Sequence, residues 1–400
     1  MINKSKLILV FVFLSFIALG LSEGAVGVSW PNIRYELDLP LGHAGIIMII
    51  HAISYSLAGS QLGRIARSYK LERIDMIGLF MMASGFFTFS LAPNFPIIFI
   101  AVAITGSGMG FIDSSLNTYM AKNHTSRYMN WLHCFWGLGA AASPVIMVRL
   151  IIFGDWRLGF ATLATIHLSV AIIVLISIAK KTWVYNEGES HSENAKKGGV
   201  LTKSSHQFLM IFIFFLYVGA EHSIGFWITS VMLESRGLSH EAAAMFPSVY
   251  FAMIMAGRMF FGFVADKFKD MNILRFGFAL SVVGLIIQLF TDSIIGIALI
   301  GFGFAPIFPC LVNDTANRFN PAILTKLVGY EIAAVGAGIA IISALMGQIL
   351  YFVSMEALFP GVIIVIVAAF LTNEIVNSVQ NRAKSNGVAP SASIKNNTPY

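Results

Sequence analysis

Apolar runs of membrane length recur along the whole of this 400-residue chain, and nothing else restricts its fold as strongly. A helix needs about 20 apolar residues to cross the hydrocarbon core of a bilayer. Such runs fall at 7–30, 43–63, 75–93, 95–121, 128–150 and 156–179, and again at 206–231, 240–265, 272–291, 293–316, 325–352 and 355–378. Turn formers stand where loops are needed: Ala92-Pro93-Asn94-Phe95-Pro96, Thr291-Asp292-Ser293 and Asn320-Pro321. The expectation is an all-α membrane protein with twelve transmembrane helices, since a helix satisfies its own backbone polar groups in lipid.

Composition agrees. Hydrophobic residues make up 57% of the chain, charged residues 12%, and the mean hydropathy is +0.78. A soluble domain keeps about 25% charged residues, because water must face something polar. The net charge of +6 raises the question of a nucleic-acid partner. The basic residues fall in short blocks between apolar runs, with no long basic helix or aromatic–basic module, so nucleic acid is set aside. Cys134 and Cys310 lie inside apolar runs without metal-ligand spacing and read as packing residues, and no metal or other cofactor is expected. Lys4 and Lys6 before an apolar run resemble a signal peptide. The run continues to about Trp30 without a clear cleavage site, so it reads as a retained first span.

The polar stretch 180–205 divides the spans into two groups of six. The domain expectation is a six-helix bundle over 1–179, a linker over 180–205, a second six-helix bundle over 206–379 and a disordered Ser/Asn/Pro-rich tail over 380–400. Numbering the loops alternately puts all but four of the 26 Lys and Arg residues on the side of the N-terminus, the exceptions being Arg34, Arg149, Arg157 and Arg236. By the positive-inside rule, both termini and the linker are then cytoplasmic. The expected location is the inner or plasma membrane of a bacterial cell.

The halves also repeat. Gly63-Arg64-Ile65-Ala66-Arg67-Ser68-Tyr69-Lys70 follows the second span, and Gly262-Phe263-Val264-Ala265-Asp266-Lys267-Phe268-Lys269 follows the eighth. With Gly257 and Arg258, the second copy resembles the cytoplasmic-loop motif of the major facilitator superfamily, in which an Asp and basic residues latch helix ends. In the first copy Arg67 stands where the motif has its Asp and Lys70 where it has a Gly. Within the superfamily the chain most resembles the fucose:proton symporter branch, which includes bacterial glucose/mannose permeases. The segments that carry the likeness are 110–117 (GFIDSSLN), 130–139 (NWLHCFWGLG) and 217–221 (YVGAE). The resemblance implies two pseudo-symmetric bundles, a gating role for Gly257, Arg258, Gly262, Asp266 and Lys267, and a part in proton coupling for Asp113. An Asp in the first span of that branch falls at Gly27 here, and Glu23, one turn earlier, is its candidate substitute.

The polar residues within the spans say the same from chemistry. Asp113 is the single charged residue in 95–121, and a carboxylate at the centre of a membrane helix costs about 2.5–3.5 kcal/mol on insertion scales. Asn117 shares its face four residues on, with Gly106 and Gly110. Either Asp113 carries a proton, or it pairs structurally with a neighbouring helix, with Arg64 a candidate partner. Glu23 either faces inward or snorkels to the exterior. Glu221 stands beside His222 in the seventh span, and Tyr217 lies one turn before it. His133 shares a face with Asn130 and reads equally as ligand contact or structural donor. Asp314 and Glu331 read as helix-end partners of Arg318 and Lys326, and Pro306 and Pro309 as a kink. Trp30 and Trp156 suit the interfacial belt, whereas Trp131, Trp136 and Trp227 lie deeper.

The functional expectation is a secondary transporter that moves a small polar solute, a sugar by the resemblance, by proton-coupled alternating access. Asp113, Glu23 and Glu221 are the proton-coupling candidates. Asn117, Asn130, His133, Trp227 and Tyr217 are the substrate-binding ones. A proton-driven exporter of drugs or metabolites is the alternative. No nucleophile–base set or signalling domain supports an enzyme or receptor, no GxxxxGK[ST] motif supports ATP-driven transport, and no obligate protein partner is evident.

Overall fold

The computed structural model describes residues 4–124, 126–183, 201, 203–264, 267–319 and 321–385. The first span is two helices, α1 (Lys4–Leu21) and α2 (Ala25–Glu36). The second is α3 (Ala44–Ser60), followed by the short α4 (Leu62–Ile65). Spans three to six are α5 (Leu71–Ser90), α6 (Phe95–Asn123), α7 (Ser126–Phe153) and α8 (Trp156–Ala179). Spans seven to nine are α9 (Ser204–Ser230), α10 (His240–Val264) and α11 (Asp270–Phe290). The tenth is again two pieces, α12 (Ile294–Phe304) and α13 (Ile307–Arg318), and the last two are α14 (Pro321–Phe352) and α15 (Leu358–Ser385). Eleven of the twelve are long and apolar enough to cross a bilayer. The other, α5, opens with Glu72, Arg73 and Asp75 and packs against α6 and α8.

Local chemistry sets several boundaries. The Asn94 side chain accepts from the Ile97 N–H at 3.3 Å to start α6, with Pro96 in the first turn, where a missing N–H costs nothing. Asp155 caps α8 in the same way, accepting from Leu158 N–H at 3.0 Å. Pro306 separates α12 from α13, so the expected kink is a break. The boundary drawn at 380 falls inside α15, which continues to Ser385, and residues 386–400 lie outside the described set. Most of the expected linker, 184–200, does so too.

The two groups of six meet along two pairs of helices that obey an approximate twofold. Span two (α3) packs on span eleven (α14), and span five (α7) packs on span eight (α10). Advancing each by six exchanges the two pairs, which is the pattern of two related bundles. On the side away from the N-terminus, α2 also meets α9. Large apolar side chains such as Ile172, Val283, Leu345 and Leu371 point outward, as lipid-facing positions must. Trp30 and Trp156 correct the belt expectation: both are buried, with their indole N–H groups bonded to Leu41 O at 3.1 Å and Glu36 Oε2 at 2.6 Å. Burying the indole body while satisfying its one donor removes the reason to sit at an interface.

Candidate substrate and proton site

A cavity of about 1250 Å³ lies between the halves, and Glu23, Asp113 and Glu221 all line it. Each is placed there by a local feature. The first span stops at Leu21 and restarts at Ala25, with Gly24 between at φ +70°, a backbone state that glycine adopts without strain. Glu23 sits in this break. Behind it, the buried His167 holds the preceding residue, with Nε2 at 3.3 Å from Ser22 Oγ and Nδ1 at 2.8 Å from Leu163 O. A discontinuous helix near the midplane frees backbone groups and points side chains at a shared centre.

Asp113 is fixed by a helix crossing. A Cβ on Gly106 would lie 2.8 Å from the His51 carbonyl, and one on Gly110 would collide with that of Tyr55, so only glycines let α6 approach α3 this closely. The approach brings the Tyr55 hydroxyl to Asp113 Oδ2, to which it donates at 2.6 Å. Asn117 Nδ2 donates to Oδ1 at 2.8 Å and to the Asp113 backbone carbonyl at 2.9 Å. His51 stacks near Tyr55 on the same helix face and also lines the cavity.

In the other half, Glu221 on α9 faces Arg258 on α10, Oε1 to Nη2 at 3.7 Å. That guanidinium lies 5.5 Å over the ring of Trp136, which belongs to α7 in the first half. Tyr250 donates to the Glu221 backbone carbonyl at 2.8 Å. His222 Nδ1 is 3.5 Å from Ser343 Oγ, which in turn accepts from Ser223 at 3.1 Å. Aromatic walls are supplied by Phe16, Trp131, Trp136, Phe226 and Phe251.

The cavity is closed at one end. Its lining reaches Phe263, Asp270 and Asn313, at the helix ends on the side of the N-terminus. Towards the opposite side the halves are joined. Arg34 pairs with Glu234, the Gln348 amide donates to Gly42 O at 3.3 Å, and Gly27 abuts the backbone of Phe226.

Not every candidate faces the cavity. Glu23, Asp113, Glu221, His133, Arg258 and Gly262 line it. Asn117 is absent from the wall and instead holds Asp113. Tyr217 and Trp227 are fully buried behind it: the Tyr217 hydroxyl donates to Phe304 O at 2.9 Å and the Trp227 indole to Ser343 O at 3.0 Å. Each has satisfied its polar group inside the bundle, which is why neither presents one to a solute. Gly257 packs under Ala305, and Lys267 is exposed. The Asn130 side chain and the whole of Asp266 lie outside the described residues. Asp113 is bound by Tyr55, Asp314 pairs with Arg318, and Glu331 accepts from Thr315 at 2.8 Å. Sequence reasoning passed over His51 and Tyr55, whose four-residue spacing was the available signal, and assigned Arg258 to a loop motif when it reaches the cavity.

Comparison with known proteins places these features in a family. Residues 12–329 match the family model of the Major Facilitator Superfamily. The chain is similar to the glucose/mannose transporter GlcP of Bacillus subtilis, 24% identical over 294 residues that cover 70% of this chain and 72% of that one. It is likewise 24% identical to the cis,cis-muconate transport protein of Acinetobacter baylyi over 371 residues, covering 84% and 86%. Its fold matches a bacterial homologue of the human lysosomal transporter Spinster with a TM-score of 0.74, covering 96% and 98% at 12% identity.

Proposed function

The chain belongs to the Major Facilitator Superfamily and is a multi-pass membrane transporter, and from that premise we propose that it couples the movement of a small polar solute to a proton. The observation that carries this reading is the convergence of Glu23, Asp113 and Glu221 on one cavity between the halves. Carboxylates in a membrane interior are costly unless they pair, take a proton or meet water. Here Asp113 and Glu221 are each close enough to Glu23 to act on its charge, and of the three only Glu221 faces a cation among the described residues. Protonation removes the charge penalty that would otherwise oppose closing the cavity around a dry intermediate. The loaded and empty states can then rock between two openings, whereas a partly charged one is held back.

The charge asymmetry of the loops supports a cytoplasmic location for both termini. On that orientation the cavity opens to the cytoplasm, and the Arg34–Glu234 pair lies in the closed outer gate. Asp113 is the leading proton carrier, because its two oxygens are held by neutral donors that can serve the charged carboxylate and tolerate the neutral acid. Solute hydroxyls would be gripped by His51, His133 and the carboxylates, with C–H faces on the aromatic wall. The relatives named glucose/mannose transporter and cis,cis-muconate transport protein support small polar solutes as the class.

The test is purified protein in liposomes with a pH dye inside. Acidification is expected with at least one member of a panel of hexoses and small acids. Proton movement only with amphipathic cations would replace this reading by drug export.

A further inference from the structure

Arg258 is the one Lys or Arg among the described residues that line the cavity, and its pairing is incomplete. The distance to Glu221 is 3.7 Å, beyond a charge-assisted hydrogen bond, and its Nε is buried without a hydrogen-bond partner. A guanidinium presents a planar fork that two carboxylate oxygens fill at once. Glu221 does not fill it, although among the described residues it is the only acid paired with this side chain. Trp136 from the opposite half lies across the guanidinium, so a group docked on the fork would touch both halves.

We propose that Arg258 is the docking point for a carboxylate on the transported solute, a sugar acid or an aliphatic acid of similar size, and that this carboxylate displaces Glu221. The inference rests on the proton-coupled reading above and names its substrate class. The consequence follows from charge. Once its only counter-ion is occupied, Glu221 is a carboxylate facing a second anion in a membrane interior, and it must take a proton. That proton leaves the carboxyl of Asp113, where an O–H bond breaks and the anion is left, and passes by way of Glu23 to a Glu221 carboxyl oxygen, where the new O–H bond forms. The groups facing the pair are Tyr217, Tyr250, His133, Cys134 and Glu23. None of these is a Lys or Arg. A neutral sugar cannot compete for the guanidinium, so it would not release Glu221.

The experiment uses the full chain in liposomes with a trapped pH dye and three probes: D-glucuronate, glutarate and D-glucose. Expected is proton entry with a carboxylate probe and none with glucose. Arg258→Gln should weaken the apparent affinity for that probe at least about 100-fold, the value of two charge-assisted bonds. Arg258→Lys, which keeps the charge without the fork, should fall between, and it guards against a folding defect in the first variant. Proton entry with glucose and silence with both acids would overturn the inference and leave proton-coupled transport standing. Carboxylate uptake unchanged in both variants would also overturn it. Carboxylate uptake that moves no protons in the wild type would overturn the coupled reading itself.

Discussion

The Tyr55 hydroxyl reaches across from α3 to α6 and donates to Asp113 Oδ2 at 2.6 Å. A donor aimed at a carboxylate favours its charged form and opposes protonation. Tyr55→Phe deletes this bond and leaves the Asn117 donor in place. Protonation of Asp113 then becomes easier and persists to higher pH. The alkaline limb of the transport–pH profile should move up by about one to two pH units, given a charge-assisted bond of about 1.5–3 kcal/mol. Initial uptake rates between pH 5 and 9 measure it. An unmoved limb would mean that Asp113 does not titrate in the cycle.

Both cysteines of the chain line the cavity, Cys134 on α7 and Cys310 on α13, and they report which side is open. A membrane-impermeant maleimide should label Cys134 from the side of the N-terminus and spare it from the other. Arg34→Ala removes the pair with Glu234 that joins the halves at the closed end. Breaking a partly buried pair from one side costs about 3 kcal/mol, enough to repopulate the opposite opening. Labelling of Cys134 from the opposite side should therefore rise several-fold in that variant.

Close approach of α2 to α9 depends on Gly27, where a Cβ would lie 2.6 Å from Phe226 O. Gly27→Val cannot close that end without shifting backbone. Transport should fall at least tenfold, roughly the effect of 1.4 kcal/mol on an equilibrium. Cys134 should at the same time lose its labelling from the side of the N-terminus. Wild-type transport in this variant would show that the contact is not needed in the cycle.

Arg318 is fully buried among the ends of α9, α11, α13 and α15, where it pairs with Asp314 and donates to Asn373 Oδ1 at 3.0 Å. Arg318→Met leaves Asp314 buried without this cation. A loss of about 3–5 kcal/mol is expected, read as a lower Tm in detergent. Adding Asp314→Leu should recover part of it, since removing both charges costs less than removing one.

The span pattern was legible because membrane length and apolarity are properties of consecutive residues. Span six was placed at 156–179, where α8 lies. The break at Ser22-Glu23-Gly24 was not, because a positive φ at one glycine leaves no trace in hydropathy. Glu23, Asp113 and Glu221 stood out for their cost in lipid. Their partners did not: Tyr55 meets Asp113 only through a crossing of α3 and α6, and Arg258 meets Glu221 only through the packing of α9 and α10. Tyr217 and Trp227 carried the right groups for a solute, yet each spends its donor on a backbone carbonyl inside the second bundle. Helix spacing tells which residues share a face, and only tertiary packing tells which face is wet.

The central claim is that a proton on a cavity carboxylate drives accumulation, with Asp113 its carrier. It is tested most directly by comparing accumulation with counterflow in liposomes holding wild type or Asp113→Asn. With one proton per solute, a pH difference of one unit supports about tenfold accumulation, since each unit is about 1.4 kcal/mol. The account predicts that the wild type approaches this ratio. Asp113→Asn should only equilibrate solute across the membrane while still exchanging labelled for unlabelled solute. Accumulation by Asp113→Asn to the wild-type ratio would contradict it.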